Sequence, residues 1–292
     1  MLEQEPSRTA FAAAAHRAAH QVLDQGRIFA DPLALPILGV TADEITRGAA
    51  EGPRRSAMRF FIAARARFAE SHLADAMERR GVRQLVVLGA GLDTFAYRSP
   101  LASQLQIFEV DHPATQAWKR RRLAEAGIAI PGGLVFAPVN FERESFVKVL
   151  EASGLASDQR TFFIWLGVVP YLTRETIFAT LKAIGALPGG AEVVFDYSDP
   201  PHTLSPELRA LHAERAARVA ALGEPFLSQF EPPELHAQLA GFDLSAIEDL
   251  GPRAIIEQFV PPEARAQRAA AGGDLPERGG HILHAMTAWK EV

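Results

Sequence analysis

Apolar and polar positions along this chain follow two rhythms. From residue 84 onward, short apolar-rich runs recur at 85–88, 105–110, 134–139, 161–166 and 191–195, most of them closed by glycine, an acidic residue or its amide. Runs this short, bounded by turn residues, read as strands; those apolar throughout belong to strands covered on both faces. Segments of helical length separate them: one opening at Pro113, one over 141–150, and one from Thr173 to about Ala186. Strand and helix alternating from 84 to 197 predict a doubly wound, parallel α/β sheet. Right-handed crossovers then bring Gly89, Ala90 and Gly91, Asp111, Asn140 and Phe141, Gly167, Asp196 and Tyr197 to one rim. Open α/β sheets bind their ligands at such a rim.

The first 80 residues keep to the helical rhythm. Residues 8–24 are alanine-rich and unbroken until Gly26, which predicts a helix. Asp31-Pro32 predicts a cap followed by proline at the first helical position, and 41–52 reads as a mobile connection. Residues 55–80 form the longest helical pattern, with Met58, Ile62, Ala69, Leu73 and Ala76 in one stripe. Arg65 falls in that stripe. A guanidinium on a buried face is costly without an anion; spacing leaves open a protein carboxylate, a side chain snorkelling to water, and the carboxylate of a ligand. Beyond the alternating region lie a proline-bounded insertion with a helix over 206–222, a helix over 232–239, a strand near 242–247, an irregular 251–280 and a last strand over 281–289. The run Lys119-Arg-Arg-Arg122 reads as a solvated face. The chain thus divides into a helical cover, 1–80, and a sheet domain, 81–292, with a helical insertion at about 200–240.

Composition narrows the chemistry. With 292 residues, 48% of them hydrophobic, the chain can bury a sizeable core. A net charge of −5 gives no global attraction to nucleic acid. The absence of cysteine excludes disulfides, thiolate metal sites and a cysteine nucleophile. No apolar run approaches the roughly 18 residues of a membrane span, and no secretory signal pattern opens the chain. The expectation is a cytoplasmic protein with no membrane, nucleic-acid or metal partner.

The glycine turn then has to be matched to a ligand. Dinucleotide sites use Gly-x-Gly-x-x-Gly/Ala, whereas here the third position is Thr94. The carboxylate of Asp93 sits where phosphate would approach, and like charges repel. Asp111 lies 20 residues beyond Gly91, where a ribose-binding acid belongs. A cationic, phosphate-free adenosine compound with an amino-acid tail, S-adenosylmethionine, satisfies these constraints. Asp93 would face its ammonium or sulfonium side, Asp111 the ribose hydroxyls and Arg65 the carboxylate.

Ala63-Ala-Arg65, Gln84-Leu-Val-Val-Leu-Gly-Ala-Gly-Leu-Asp-Thr94, Phe108-Glu-Val-Asp111-His-Pro, Lys119 and Trp165-Leu-Gly-Val-Val-Pro-Tyr-Leu172 carry a resemblance over about 55–200. Together they resemble the leucine carboxyl methyltransferase family, including its bacterial polyketide O-methyltransferase-like branch. The resemblance implies a class I methyltransferase (Rossmann-like) sheet of seven strands, mostly parallel with an antiparallel last strand, under a helical N-terminal cover. It implies S-adenosylmethionine as cofactor and S-adenosylhomocysteine as product, with Arg65 on the carboxylate and Gly89 at the methionine portion. Asp111 would hold the ribose, while Asn140 and Phe141 border the adenine. Ala90, Gly91, Asp93, His112, Leu166 and Gly167 complete the candidate set. Three positions depart from the family pattern: Phe95 stands in place of a frequent arginine, Asn140 of an aspartate, and Leu166 of a common glutamate. The implied activity is O-methylation of a carboxylate or hydroxyl on a small-molecule acceptor. Tyr97, Tyr171, Tyr197 and His202 are candidate polar wall groups, each equally well read as a structural tyrosine or a surface histidine, and no residue is assigned a catalytic role. The alternatives are a non-catalytic S-adenosylmethionine-binding protein, which Leu166 keeps open, and an NAD-dependent dehydrogenase, which Thr94 and Asp93 oppose. The acceptor's identity and the oligomeric state are left open.

Overall fold

A computed structural model describes residues 7–48, 53–140, 144–263, 265–266 and 276–289. Seven strands, β1 (Gln84–Leu88), β2 (Gln106–Asp111), β3 (Leu134–Pro138), β4 (Thr161–Trp165), β5 (Ala191–Ser198), β6 (Ala246–Leu250) and β7 (Gly280–Met286), make one sheet ordered β3-β2-β1-β4-β5-β7-β6. The pairings among β1 to β5 are parallel; β7 runs antiparallel to both β5 and β6. This is the mostly parallel sheet with an antiparallel last strand that the family resemblance implies.

Strand alternation explains the apolar runs. Val86, Leu88, Phe108, Val110, Phe163 and Trp165 face one core, and Leu85, Val87, Ile107, Phe162 and Ile164 the other. Helices α7 (Phe146–Ala152), α8 (Arg174–Gly185) and α10 (Pro232–Ala240) cover the first face. The second is covered by α4 (Pro53–Arg79), α5 (Phe95–Arg98) and α11 (Pro252–Phe259). A third cluster joins α1 (Arg8–Leu23) and α2 (Ala34–Leu38) to Leu92 and to Leu123 of α6 (Pro113–Glu125). The helices α3 (Ala42–Gly48) and α9 (Pro206–Ala221) complete the order. Among the described residues, no helix is long and apolar enough to cross a membrane.

Several elements differ from their expected form. The segment read as a mobile connection contains α3, because Thr41 and Glu44 cap one another: Thr41 N and Oγ1 donate to Glu44 Oε2 at 2.7 and 2.9 Å, and Glu44 N donates to Thr41 Oγ1 at 3.2 Å. Asp31 does not cap a helix that opens at Pro32; its carboxylate accepts from Leu33 N at 3.1 Å, and α2 starts at Ala34. The helix expected over 141–150 starts at Phe146, and residues 141–143 lie outside the described ones. Strand β6 begins four residues later than expected because the chain leaving α10 first turns through Asp243, at φ +63°. Within the stretch expected to be irregular, Pro252 opens α11, which buries Ile255 and Ile256. Lys119 is not on a solvated face: it is 1% exposed and its ammonium lies 2.6 Å from Glu109 Oε2.

Candidate functional site

Leaving β1, the chain turns through Gly89 and Gly91, at φ +65° and +45°, a region that side chains disfavour. Gly89 N and Ala90 N both donate to Val110 O, at 2.8 and 3.1 Å, and so extend the β1–β2 pairing past Leu88. The space above the turn is already used by protein. A Cβ on Gly89 would stand 2.3 Å from Val168 Cγ2, and one on Gly91 3.0 Å from Ala10 Cβ. The loop after β4 and the first turn of α1 therefore press directly on the glycines. Asp93 Oδ1 accepts from Phe95 N at 2.8 Å, folding the residue back over the start of α5.

Asp111, at the tip of β2, fixes the same turn from the other side. Its Oδ2 accepts from Gly91 N at 2.5 Å and its Oδ1 from His112 N at 2.7 Å. Burial raises its carboxyl above the usual aspartate value, and these two donors oppose that shift. The next residue, His112, caps α6: its Nδ1 accepts from Ala114 N at 3.3 Å, with Pro113 in the first turn. Val139 N donates to Asp111 O at 2.9 Å, which brings the end of β3 and Asn140 to the same rim. Phe141 lies outside the described residues.

Arg65 meets an anion, and it is a protein carboxylate. Its Nη1 donates to Asp196 Oδ2 at 2.8 Å, and Gly167 N donates to Asp196 Oδ1. Gly167 has φ +75°, and a Cβ there would come 2.8 Å from Arg65 Nη2. One aspartate thus joins α4, the end of β4 and the end of β5. Leu166, half-buried, packs with the second core. Arg65, the glycine turn, Asp111, His112, Asn140 and Gly167 accordingly converge where the strand ends were expected to meet.

Sequence reasoning missed the groups that fasten the cover down. Glu224, just after α9, accepts from Arg8 N at 3.0 Å, Thr9 N at 3.1 Å and Ser7 Oγ at 3.3 Å, capping α1 from a distant segment. Asp31 accepts from Arg17 Nε at 3.1 Å and from Thr94 Oγ1 at 2.8 Å, tying α1 to the chain just beyond the glycines. Neither contact has a local signal, since the partners are 63 to 217 residues apart except for Arg17 and Asp31.

A seven-stranded sheet in this order, with a glycine turn and an acidic strand end at its rim, defines the chain as having the class I methyltransferase fold. The model of the leucine carboxyl methyltransferase family matches residues 10–185, more than half of the chain, and the protein belongs to that family. Among its relatives, YktD of Bacillus subtilis (strain 168) is 40% identical over 185 residues, 61% of this chain and 59% of that one. A protein of Mycolicibacterium paratuberculosis is 36% identical over 159 residues, 52% of this chain and 50% of that one. Both bear names that assign them, provisionally, S-adenosyl-L-methionine-dependent methyl transfer. The match thus spans between half and three fifths of these relatives' lengths. Among solved structures, a DUF574-family protein from Streptomyces avermitilis shares the fold: TM-score 0.56 and 14% identity, covering 99% of this chain and 100% of that one.

Proposed function

We propose that this protein binds S-adenosylmethionine at the glycine turn and directs its methyl group to an oxygen of a small-molecule acceptor, in the cytoplasm. The helices before residue 81 serve as cover and the remainder as the binding domain. The observation that carries the reading is the bond from Gly91 N to Asp111 Oδ2. In a dinucleotide site, amides of the glycine turn are offered to pyrophosphate. Here one of those amides is spent on a carboxylate, and Asp93 adds a second acid within the turn, so the donor set repels phosphate and suits a cation. The family membership and the names of the two relatives support the same cofactor. Bound there, the sulfonium supplies an electrophilic methyl group. The chain's own contribution is positioning and exclusion of water, which suits direct displacement. Asp111 would take the ribose hydroxyls, Asn140 the adenine edge, and Arg65, held by Asp196, the cofactor's carboxylate.

Calorimetric titration with S-adenosylmethionine, S-adenosylhomocysteine and NAD tests this. The expected result is saturable binding of the first two and none of NAD; binding of NAD alone would overturn it. The half-buried apolar Leu166, at the position of a common family glutamate, favours a second reading: binding without turnover. Release of labelled methyl onto a panel of acids and phenols separates the two.

A further inference from the structure

The insertion after β5 carries chemistry that the cofactor does not use. It lies outside the 10–185 segment by which the family is recognised. On α9, His212 and Arg215 are three residues apart and share a helical face. Both meet Phe226, with the Arg215 guanidinium 5.1 Å and the His212 ring 5.7 Å from the Phe226 ring centre. Phe226 is fixed in turn against Tyr171, their rings 5.4 Å apart. Two bonds hold that segment down: Leu227 N donates to Pro170 O at 2.7 Å and Ser228 Oγ to Leu172 O at 2.6 Å. Tyr171 faces Thr9 of the cover, Arg65 at the rim and Arg215. The insertion thus lays an aromatic wall and a guanidinium beside the cofactor rim.

Among the described residues, no carboxylate forms an ion pair with Arg215; Asp196 acts on it electrostatically but is itself bonded to Arg65. Tyr171, within hydrogen-bonding reach, stays a neutral hydroxyl because burial raises it further above neutrality. His212 is neutral as well, held below the ordinary histidine value by burial and by Arg215 itself, and its Nε2 is buried with no hydrogen-bond partner. Asp196 is paired with Arg65, and Glu224 with the first turn of α1. Arg215 is exposed, and its guanidinium lies over the Phe226 ring. A cation held there without an ion pair is open to an anion from solution.

We propose that Arg215 is a specificity-determining residue of the acceptor pocket, and that the acceptor carries a carboxylate seated against its guanidinium, with its apolar body on Phe226 and Tyr171. The proposal rests on the methyl-transfer reading. A carboxylate fits better than a phosphate because, among the described residues, Arg65 is matched by Asp196 and Arg215 offers a single cation without an ion pair. A guanidinium is also suited to planar, two-oxygen anions.

The test is calorimetry on the full chain. S-adenosylhomocysteine is titrated first; then benzoate, cinnamate, inorganic phosphate and the uncharged benzamide and cinnamamide are titrated into the loaded protein. Wild type, Arg215→Gln and Arg215→Lys are compared. We expect the acids to bind wild type and the amides to bind at least about tenfold more weakly, the scale of a hydrogen bond to a charged group. Arg215→Gln should lose about tenfold for the acids with the amides unchanged, Arg215→Lys should recover part of it, and S-adenosylhomocysteine should bind all three alike. Equal loss for acids and amides means that Arg215 only packs on Phe226, and overturns the proposal. So do preference for phosphate, absence of saturable binding by either acid, and loss of S-adenosylhomocysteine in Arg215→Gln, which would place the guanidinium on the cofactor. Failure of wild type to bind S-adenosylhomocysteine removes the methyl-transfer reading and this proposal with it, and it is seen before any acid is added.

Discussion

Gly89 offers the sharpest test of what the glycine turn is for. Substituting alanine imposes two separate costs. The residue sits at φ +65°, where a side chain costs roughly 1–2 kcal/mol. The new methyl would also stand 2.3 Å from Val168 Cγ2, an overpacking worth about 1–3 kcal/mol. Only the second cost has a removable cause. Val168→Ala deletes Cγ2 and leaves Cβ at 3.4 Å, an ordinary contact. Val168 is half-buried, so that change alone should cost about 1 kcal/mol, the scale of partly exposed methyl groups. Equilibrium denaturation of Gly89→Ala, Val168→Ala and the double variant forms a cycle. Gly89→Ala alone should lose roughly 2–5 kcal/mol, and the double variant should recover about 1–3 kcal/mol of that relative to additivity. The measurement is made without cofactor, so it isolates packing from binding. Additivity within about 0.5 kcal/mol would refute the clash with Val168, leaving the left-handed backbone as the structural reason for the glycine.

Three further outcomes follow from buried charge. His281 donates to Asp199 and Asp249, at 3.1 and 3.0 Å, and these acids hold it up to about 9. Its contribution is complete below the unfolded value near 6.5 and is lost as pH rises through about 9, so wild-type stability minus that of His281→Gln should fall across pH 6.5–9; a flat difference would refute the pairing. Glu109, pushed up to about 7 by burial, faces the ammonium of Lys119. Glu109→Gln strands a buried cation and should cost about 3–5 kcal/mol by denaturation, whereas Glu109→Gln with Lys119→Met should cost less than the single change. Glu224→Ala removes the cap on α1 and should lower stability by roughly 0.5–2 kcal/mol while amide exchange over residues 8–12 accelerates; unchanged exchange there would show that the cap is not what holds the turn.

What could be read from the chain, and what could not, divides by distance along it. The β1 run, its glycines and Asp111 were legible because short apolar runs and turn residues are local signals, and right-handed crossovers convert them into a rim. Arg65 was legible as a cation needing an anion, but Asp196, its partner, lies 131 residues away, and the apolar stripe alone could not choose between it and a ligand. Lys119 was misread for the same reason. Within Lys-Arg-Arg-Arg it looks solvated, and only the pairing of β2 beneath α6 reveals Glu109 opposite it. The missed helix α3 is a different case. Thr41-x-x-Glu44 is a local capping signal, outweighed by nearby glycines because this helix buries no residue and so shows no apolar period. The prolines around 200–230 are local signals, but the place of Arg215 over Phe226 depends on Phe226 folding back onto Tyr171.

Those distant contacts have a consequence for access to the rim. The first turn of α1 rests on Gly91 through Ala10, reaches Tyr171 through Thr9, and is capped by Glu224 from the insertion that carries Arg215. Cover, insertion and glycine turn therefore meet at one point, and anything that lifts α1 there disturbs all three. On the cap's scale of roughly 0.5–2 kcal/mol, the bonds to Glu224 set the opening of this turn. The turn then stands open in roughly one molecule in three to one in thirty. If a ligand must enter there, its apparent affinity is reduced by that fraction. Weakening the cap would then relieve the penalty while making the closed state less complete, so Glu224→Ala should speed both entry and release of S-adenosylhomocysteine. Stopped-flow measurement of the two rates checks this, and rates equal to wild type would mean that the cofactor reaches the rim by another route.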